Sequence, residues 1–256
     1  MIPLIAEILP VAQEQLLSAF IVFLRVGAVV VMVPGFGEQF IPQRVKLVVA
    51  LSFTLIVAPA VATDAQPLTA QPSLFWLGEV ITGLALGAIL RLLVQTLQIA
   101  GQVAAQATSL SQIFGGAGGD PQPALSHLLT IAGLALAAMT GLHVRAAEAM
   151  ILSYDMLPPG RMPDAALLAD WGVANIALGF GLAVLLAMPF VIASLIYNLA
   201  LGVINKAMPQ LMVAFVGAPA ITAGGLILMV LAVPVMLEIW QSWLVAVLSD
   251  PFSVAR

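Results

Sequence analysis

The chain has 256 residues, of which 62% are hydrophobic and only 8% are charged, and its formal net charge is -4. Soluble domains carry about 25% charged residues, so the composition excludes a water-soluble globule and predicts an integral membrane protein. The absence of cysteine excludes a disulfide framework and a cysteine metal site. The absence of a basic run argues against nucleic-acid binding and against a polybasic lipid anchor.

The first twenty residues, MIPLIAEILPVAQEQLLSAF, have no basic residue before their apolar run and contain Glu7 and Glu14. A cleavable signal peptide has a basic start and an uninterrupted apolar centre. We therefore expect this stretch to be part of the mature fold.

A window of about 20 residues, the length that spans a bilayer core, finds six apolar segments. They lie at 16–33, 45–62, 74–105, 124–142, 172–204 and 211–248, with proline and glycine clusters between them. The segments are continuous rather than alternating, so we predict helices and not a β-barrel.

Two of these segments, 74–105 and 211–248, are too long for one straight crossing, since they would extend about 48 and 57 Å as helices. They are expected to bend, break or project from the membrane. Pro189, Pro219 and Pro234 lie inside apolar segments, where a proline removes a helix hydrogen bond and favours a kink.

The positive charges give no membrane orientation. With strict alternation of six spans, three bases fall on each side: Arg145, Arg161 and Arg256 on one, and Arg44, Lys46 and Lys206 on the other. Two explanations stay open: the number of spans differs from six, or the helices do not cross a bilayer independently.

Charges inside apolar segments are candidate functional groups. Arg25 lies mid-segment, too far from either end to reach water easily, so it requires a partner or a wet cavity. Glu79, Arg91, Glu148 and Glu238 also interrupt apolar sequence. A proton or substrate relay would use such groups, but structural ion pairs between packed helices are the favoured interpretation.

Other motifs are weak. His127 and His143 have no second ligand at the spacing of a metal site, and we interpret them as hydrogen-bonded residues at helix ends. Gly83 and Gly87 form a GxxxG pair that permits close helix contact. The stretch GGAGGDP lacks the following Lys-Ser/Thr of a phosphate loop, and no enzyme motif is present. The sequence thus predicts no enzyme, no cofactor and no metal.

Specific stretches resemble the FliR family of flagellar biosynthesis proteins, which is shared with the T subunit of injectisome type III secretion systems. These are FLRVGAVVVMVPGFGEQFIPQRVKLVVALSF, with Arg25, Pro34 and the I-P-x-R-V-K pattern of Ile41 to Lys46; AGQVAAQATSLSQIF with Asp120-Pro121; GLHVRAAEAMILSYDMLPPG; and LGVINKAMPQLMVAFVGAPAITAGGLIL. In the family's N-R-x-x-P-Q pattern, Lys206 replaces the usual Arg.

The resemblance implies an all-α integral membrane protein of about six long, partly kinked helices that form the helical hairpins of an export gate. It also implies a single membrane domain, 1–256, with N-terminal hairpins in 1–105, a glycine-rich pore loop in 106–123 and C-terminal hairpins in 124–256. The implied function is a core subunit of the flagellar type III export apparatus that forms a pore for unfolded flagellar proteins. This subunit would be required for flagellum assembly.

The resemblance also suggests site residues. The pore plug would comprise Leu110, Ile113, Phe114, Gly115, Gly116, Gly118, Gly119, Asp120 and Pro121, in which glycines let the backbone enter a narrow lumen and apolar side chains seal it. Structural or subunit contacts would be Arg25, Pro34, Pro42, Arg44, Lys46, Asn205, Lys206, Pro209 and Gln210. For Arg44 and Lys46, a solvated helix end is the alternative to a subunit or lipid contact.

The implied partners are FliP and FliQ, together with FlhB and FlhA, unfolded export substrates and membrane lipid, with no nucleic acid. The implied location is the bacterial inner membrane, in the flagellar basal body. An injectisome export-gate subunit is one alternative. A small secondary transporter, in which Arg25 and the intramembrane acids bind a solute, is an alternative of another class, which internal inverted repeats would favour.

Overall fold

A computed structural model describes residues 2–38, 41–61, 72–108, 123–208 and 213–253. Its seven α-helices in these ranges are α1 (Ile2–Met32), α2 (Gln43–Val57), α3 (Pro72–Ala107), α4 (Ala124–Met139), α5 (Leu142–Met156), α6 (Ala165–Ala207) and α7 (Val213–Ser249). A short 3-10 helix, Ala58–Ala60, extends α2. The predicted all-α class is confirmed.

Each of the six predicted segments contains a helix, and the structure adds α5. This helix was missed because Arg145, Glu148 and Asp155 lower its hydropathy below that of a membrane span. It starts after Gly141, whose φ of 83° ends α4 in a left-handed conformation that favours glycine. Five described helices are long and apolar enough to cross a membrane, or six if α4 and α5 together form one span.

The predicted segments 74–105 and 211–248 form continuous helices over their described residues. Helix α3 has 36 residues, and α7 has 37 residues that continue through Pro219 and Pro234. Helix α6 is longer still, with 43 residues including Pro189. At 1.5 Å per residue these helices are about 54 to 65 Å long. The segments were expected to bend, break or project from the membrane, and their described residues contain no break, which leaves bending or projection.

The chain divides into two compact units. The first comprises Met1–Leu92, Gly141–Asn175 and Val245–Arg256. Its core contains Ile21, Val22 and Val26 of α1. The predicted division of a single membrane domain at residues 105 and 123 stays a prediction.

The second unit comprises Leu93–Thr140 and Ile176–Leu244. Its core contains Trp240, which is 1% exposed and donates a hydrogen bond from its indole Nε1 to the carbonyl oxygen of Leu93 at 2.7 Å. A buried indole N–H requires such an acceptor. Ser126 of α4 similarly donates to the carbonyl oxygen of Gln98 at 2.9 Å.

Candidate functional site

Arg25 is buried within the first unit, and all five of its guanidinium N–H donors have acceptors. Arg25 Nε donates to Glu79 Oε2 at 2.8 Å, and Nη2 donates to Glu79 Oε1 at 3.2 Å. Nη1 donates to both the carbonyl oxygen and the Oγ of Ser153 at 3.1 Å, and Nη2 donates to the carbonyl oxygen of Leu157 at 2.9 Å. The guanidinium offers five donors in a fixed fork, so its hydrogen-bonding capacity is fully used.

The two charged side chains of this network are shielded from solvent. Arg25 is 1% exposed and Glu79 is fully buried. The backbone N–H of Gly160 donates to Glu79 Oε1 at 3.0 Å, and the Arg25 guanidinium carbon lies 3.7 Å from the ring centre of Tyr154. Such a cation–π contact is stronger where the cation is desolvated.

The network joins four separate parts of the first unit: α1 supplies Arg25, α3 supplies Glu79, α5 supplies Ser153, and the segment after α5 supplies Leu157 and Gly160. A bidentate arginine–carboxylate pair adds geometric specificity to charge attraction. We therefore interpret it as a structural clamp that fixes the relative positions of these elements. The position of Arg25 within an apolar segment predicted a partner or a wet cavity, and Glu79 is that partner.

Two glycines allow α1 and α3 to come close enough for this ion pair. A Cβ atom placed on Gly83 would collide with the carbonyl oxygen of Arg25 and would lie 2.8 Å from the Cβ of Ala28. One placed on Gly87 would lie 2.6 Å from the Cβ of Met32. The predicted GxxxG contact is confirmed: the glycine face of α3 packs against the backbone of α1.

A tight turn follows the end of α1. The carbonyl oxygen of Val33 accepts a hydrogen bond from the N–H of Phe36 at 3.2 Å, with Pro34 and Gly35 in between and Gly35 at φ 90°. Proline followed by a glycine of positive φ is typical of a type II turn. Pro34 and Gly35 thus turn the chain sharply just after α1 ends.

Helix α2 begins immediately after Pro42, whose ψ of 140° is extended and not helical. The proline ring would clash with a preceding helical turn, so the helix does not extend further toward the N-terminus. Arg44, in the first turn, is exposed. Lys46 is only 8% exposed, and its Nζ donates to the carbonyl oxygen of Gly37 at 3.0 Å. The two bases of the I-P-x-R-V-K pattern therefore have different environments, which the sequence did not distinguish.

The remaining predicted contact residues lie near the end of α6. Asn205 and Lys206 are both exposed. The other predicted site residues lie outside the described residues: Pro209 and Gln210, and the loop residues Leu110, Ile113, Phe114, Gly115, Gly116, Gly118, Gly119, Asp120 and Pro121. Their roles stay predictions.

The other intramembrane charges do not join the clamp. Arg91, Glu148 and Glu238 are exposed on their helices, and so are His127 and His143, which lie near the starts of α4 and α5. Within the described ranges, no group of three His, Cys, Asp or Glu side chains is placed to hold a metal ion.

Long apolar surfaces of α6 and α7 are exposed. The membrane-span windows of these helices are only 28% and 11% buried, against 56% for α3. Glu238 is an exposed carboxylate in this apolar part of α7. Exposed apolar surface of this extent indicates contact with lipid or with other proteins.

Residues 16–246 match the family model described as "Bacterial export proteins, family 1". The flagellar biosynthetic protein FliR of Caulobacter vibrioides is 36% identical over 236 residues, which cover 88% of this chain and 92% of that protein. The chain belongs to the FliR family of bacterial export proteins. FliR of Aquifex aeolicus is 30% identical over 237 residues, 88% of each chain, and FliR of Escherichia coli is 29% identical over 238 residues, 89% of this chain and 90% of its own.

Membership of this family, together with the membrane-span helices, identifies the chain as a membrane-embedded component of the flagellar export apparatus. Its partners are accordingly other components of that apparatus. The family resemblance inferred from the I-P-x-R-V-K and N-[RK]-x-x-P-Q patterns is confirmed.

Proposed function

We propose that the chain is a core membrane subunit of the flagellar type III protein export apparatus. It forms part of the gate through which unfolded flagellar proteins cross the inner membrane, and flagellum assembly requires it. The observation that carries the proposal is the family match over residues 16–246. The relatives are flagellar biosynthetic proteins by name, which favours a flagellar over an injectisome apparatus.

The exposed surfaces of α6 and α7 support a subunit role over that of an isolated membrane protein. Lipid can cover apolar side chains, but an exposed charge in an apolar segment is costly in a bilayer and faces protein or water instead. Glu238 is such a charge. Neighbouring subunits, for which we propose FliP and FliQ with FlhB and FlhA nearby, would supply a polar or basic partner for it.

The proposed plug is the loop of residues 109–122, and its composition supports this role. Glycines give the backbone access to conformations that other residues avoid, while Leu110, Ile113 and Phe114 supply apolar bulk against water and ions. Exposed Asn205 and Lys206, with Pro209 and Gln210, are the proposed subunit contacts, and exposed Arg44 is a proposed subunit or lipid contact.

The Arg25 clamp argues against a secondary transporter. In that alternative Arg25 would bind a solute, but its five donors already have protein acceptors, and Glu79 is fully buried beside it. Solute binding would have to break this network. The charge therefore stabilises the fold and is not available as a ligand site.

Copurification from native membranes tests the proposed function. The tagged full chain should bring down other export-apparatus subunits, whereas an unrelated tagged membrane protein of similar size should not. Expressed alone, the chain should aggregate, and coexpression with FliP and FliQ should restore a soluble detergent-extracted complex. A well-behaved isolated chain that transports a solute in liposomes would contradict the proposal.

A further inference from the structure

An open groove lies on the first unit, among α1, α2 and α3. Its volume is about 430 Å³. The walls are apolar: α1 contributes Phe23 and Gly27, α2 contributes Leu47, and α3 contributes Val80 and Leu84. This volume lies within the usual range of small-molecule sites, about 300 to 1,000 Å³.

The groove has a polar end at the start of α2, where Gln43 and Lys46 line it. Lys46 is more than nine-tenths buried, and one of its three N–H donors is used by the carbonyl oxygen of Gly37. Among the described side chains, none of the carboxylates lies within 4 Å of its Nζ. A buried ammonium is stabilised by an opposite charge, so this end of the groove is suited to an anionic group.

We infer that the groove binds an anionic phospholipid. Its phosphate contacts the Lys46 ammonium, with exposed Arg44 on the adjacent first turn of α2, and one acyl chain lies along the apolar walls. Lysine binds phosphate as a compact point charge, and basic pockets between membrane helices bind anionic headgroups. Gly37, whose carbonyl oxygen accepts the hydrogen bond of Lys46, is therefore also part of the headgroup site.

The dimensions favour an acyl chain over a helix of a partner subunit. A helix with side chains is about 10 Å wide and rises about 5.4 Å per turn, so the groove volume corresponds to roughly one turn. Gly27 contributes open space, since a Cβ atom placed on it would meet nothing within 4 Å. The inference requires only that the chain is embedded in a membrane, so it goes beyond the proposed gate function.

Native mass spectrometry of the full chain, purified with its partner subunits, tests the site. The complex is delipidated and titrated with phosphatidylglycerol or, as a neutral comparison, phosphatidylcholine. The wild type should retain phosphatidylglycerol preferentially. Lys46→Gln should lower this preference at least about fivefold, the effect of one basic residue at an anionic surface, and Lys46→Arg should keep it.

Filling the groove should abolish binding of both lipids. Gly27→Leu places a side chain in the open space, and Gly172→Leu is the matched control because its Cβ also meets nothing within 4 Å, on α6 outside the groove. The control should bind lipid as the wild type does.

Equal retention of both lipids by the wild type and by Lys46→Gln would overturn the headgroup assignment.

A measurement on the wild type keeps the test independent of variant folding. Phosphatidylglycerol with a photoreactive group in its acyl chain should crosslink to groove residues such as Phe23 and Leu47. Crosslinks confined to other surfaces, or a neighbouring subunit crosslinked from Gly27→Cys in place of lipid, would overturn the inference. Lipid binding without protein export would instead contradict the proposed function, so the two failures are distinguishable.

Discussion

Replacing Arg25 with leucine should destabilise the first unit severely. The substitution removes five hydrogen bonds and leaves the Glu79 carboxylate fully buried without its guanidinium partner, although the N–H of Gly160 still donates to it. Breaking a buried ion pair by removing one partner costs about 3 to 5 kcal/mol. This is a large fraction of a typical total stability of about 5 to 15 kcal/mol.

Removing both charges should cost less than removing one. In Arg25→Leu with Glu79→Leu, no uncompensated charge remains in the interior. The carbonyl oxygen of Ser153 still accepts the backbone N–H of Leu157 at 3.0 Å, whereas the carbonyl oxygen of Leu157 loses its guanidinium donor. The N–H of Gly160 likewise loses its acceptor, Glu79 Oε1. An unsatisfied neutral polar group costs about 1 to 3 kcal/mol, less than an unpaired buried carboxylate. Since the loss at Leu157 is common to both variants, the double variant should be the more stable of the two.

Thermal unfolding of the purified complex measures these differences. Arg25→Leu should lower the apparent Tm by on the order of 10 °C, by the scaling for chains of this size. Arg161→Leu is the control, because Arg161 is exposed and a surface substitution changes stability by only about 0.5 kcal/mol. An unchanged Tm for Arg25→Leu would refute the clamp, and normal assembly with raised ion leakage would assign Arg25 to gating instead.

Three further predictions concern packing and the proposed plug. Gly83→Val should lower the stability of the complex by about 1 to 3 kcal/mol through overpacking against α1, while Gly27→Ala, where space is open, should leave its Tm unchanged or higher. Trp240→Phe removes the donor to the Leu93 carbonyl oxygen and should cost about 1 to 3 kcal/mol in denaturant unfolding; no change would contradict a structural role for that bond. Deleting Gly115–Gly119 should leave copurification of partner subunits intact while raising ion conductance in liposomes, and unchanged conductance would reduce the stretch to an ordinary turn.

Hydropathy predicted most helices because continuous apolar segments are the direct signal of membrane helices. It failed where charge interrupts that signal. Helix α5 carries Arg145 and Glu148, and the first half of α1 carries Glu7 and Glu14, so neither appeared as an apolar segment although both are helical. Helix formation there depends on backbone geometry and packing, which mean hydropathy does not measure.

The candidate site was predictable only in part. The position of Arg25 within an apolar segment showed that it required a partner or a wet cavity, and the sequence also marked Glu79 as unusual. Their pairing was not predictable, because the two residues are 54 positions apart and no helix spacing rule relates them. Ser153 and Leu157 gave no signal at all, since two of the three bonds they accept go to backbone carbonyl oxygens, which every sequence position has.

Because Arg25 is synthesised before its acceptors, its charge is unpaired when α1 inserts into the membrane. Arg25 leaves the ribosome 54 residues before Glu79 and 132 residues before Leu157. At about 5 to 20 residues per second, the arginine waits roughly 3 to 11 s for its carboxylate and roughly 7 to 26 s for its last acceptor. During that interval α1 must stay in place with an unpaired charge, which costs about 2.5 to 3.5 kcal/mol at the centre of an inserting helix. The high hydropathy of the Gln15–Met32 window, 2.2 despite the arginine, therefore serves early biogenesis as well as the finished fold.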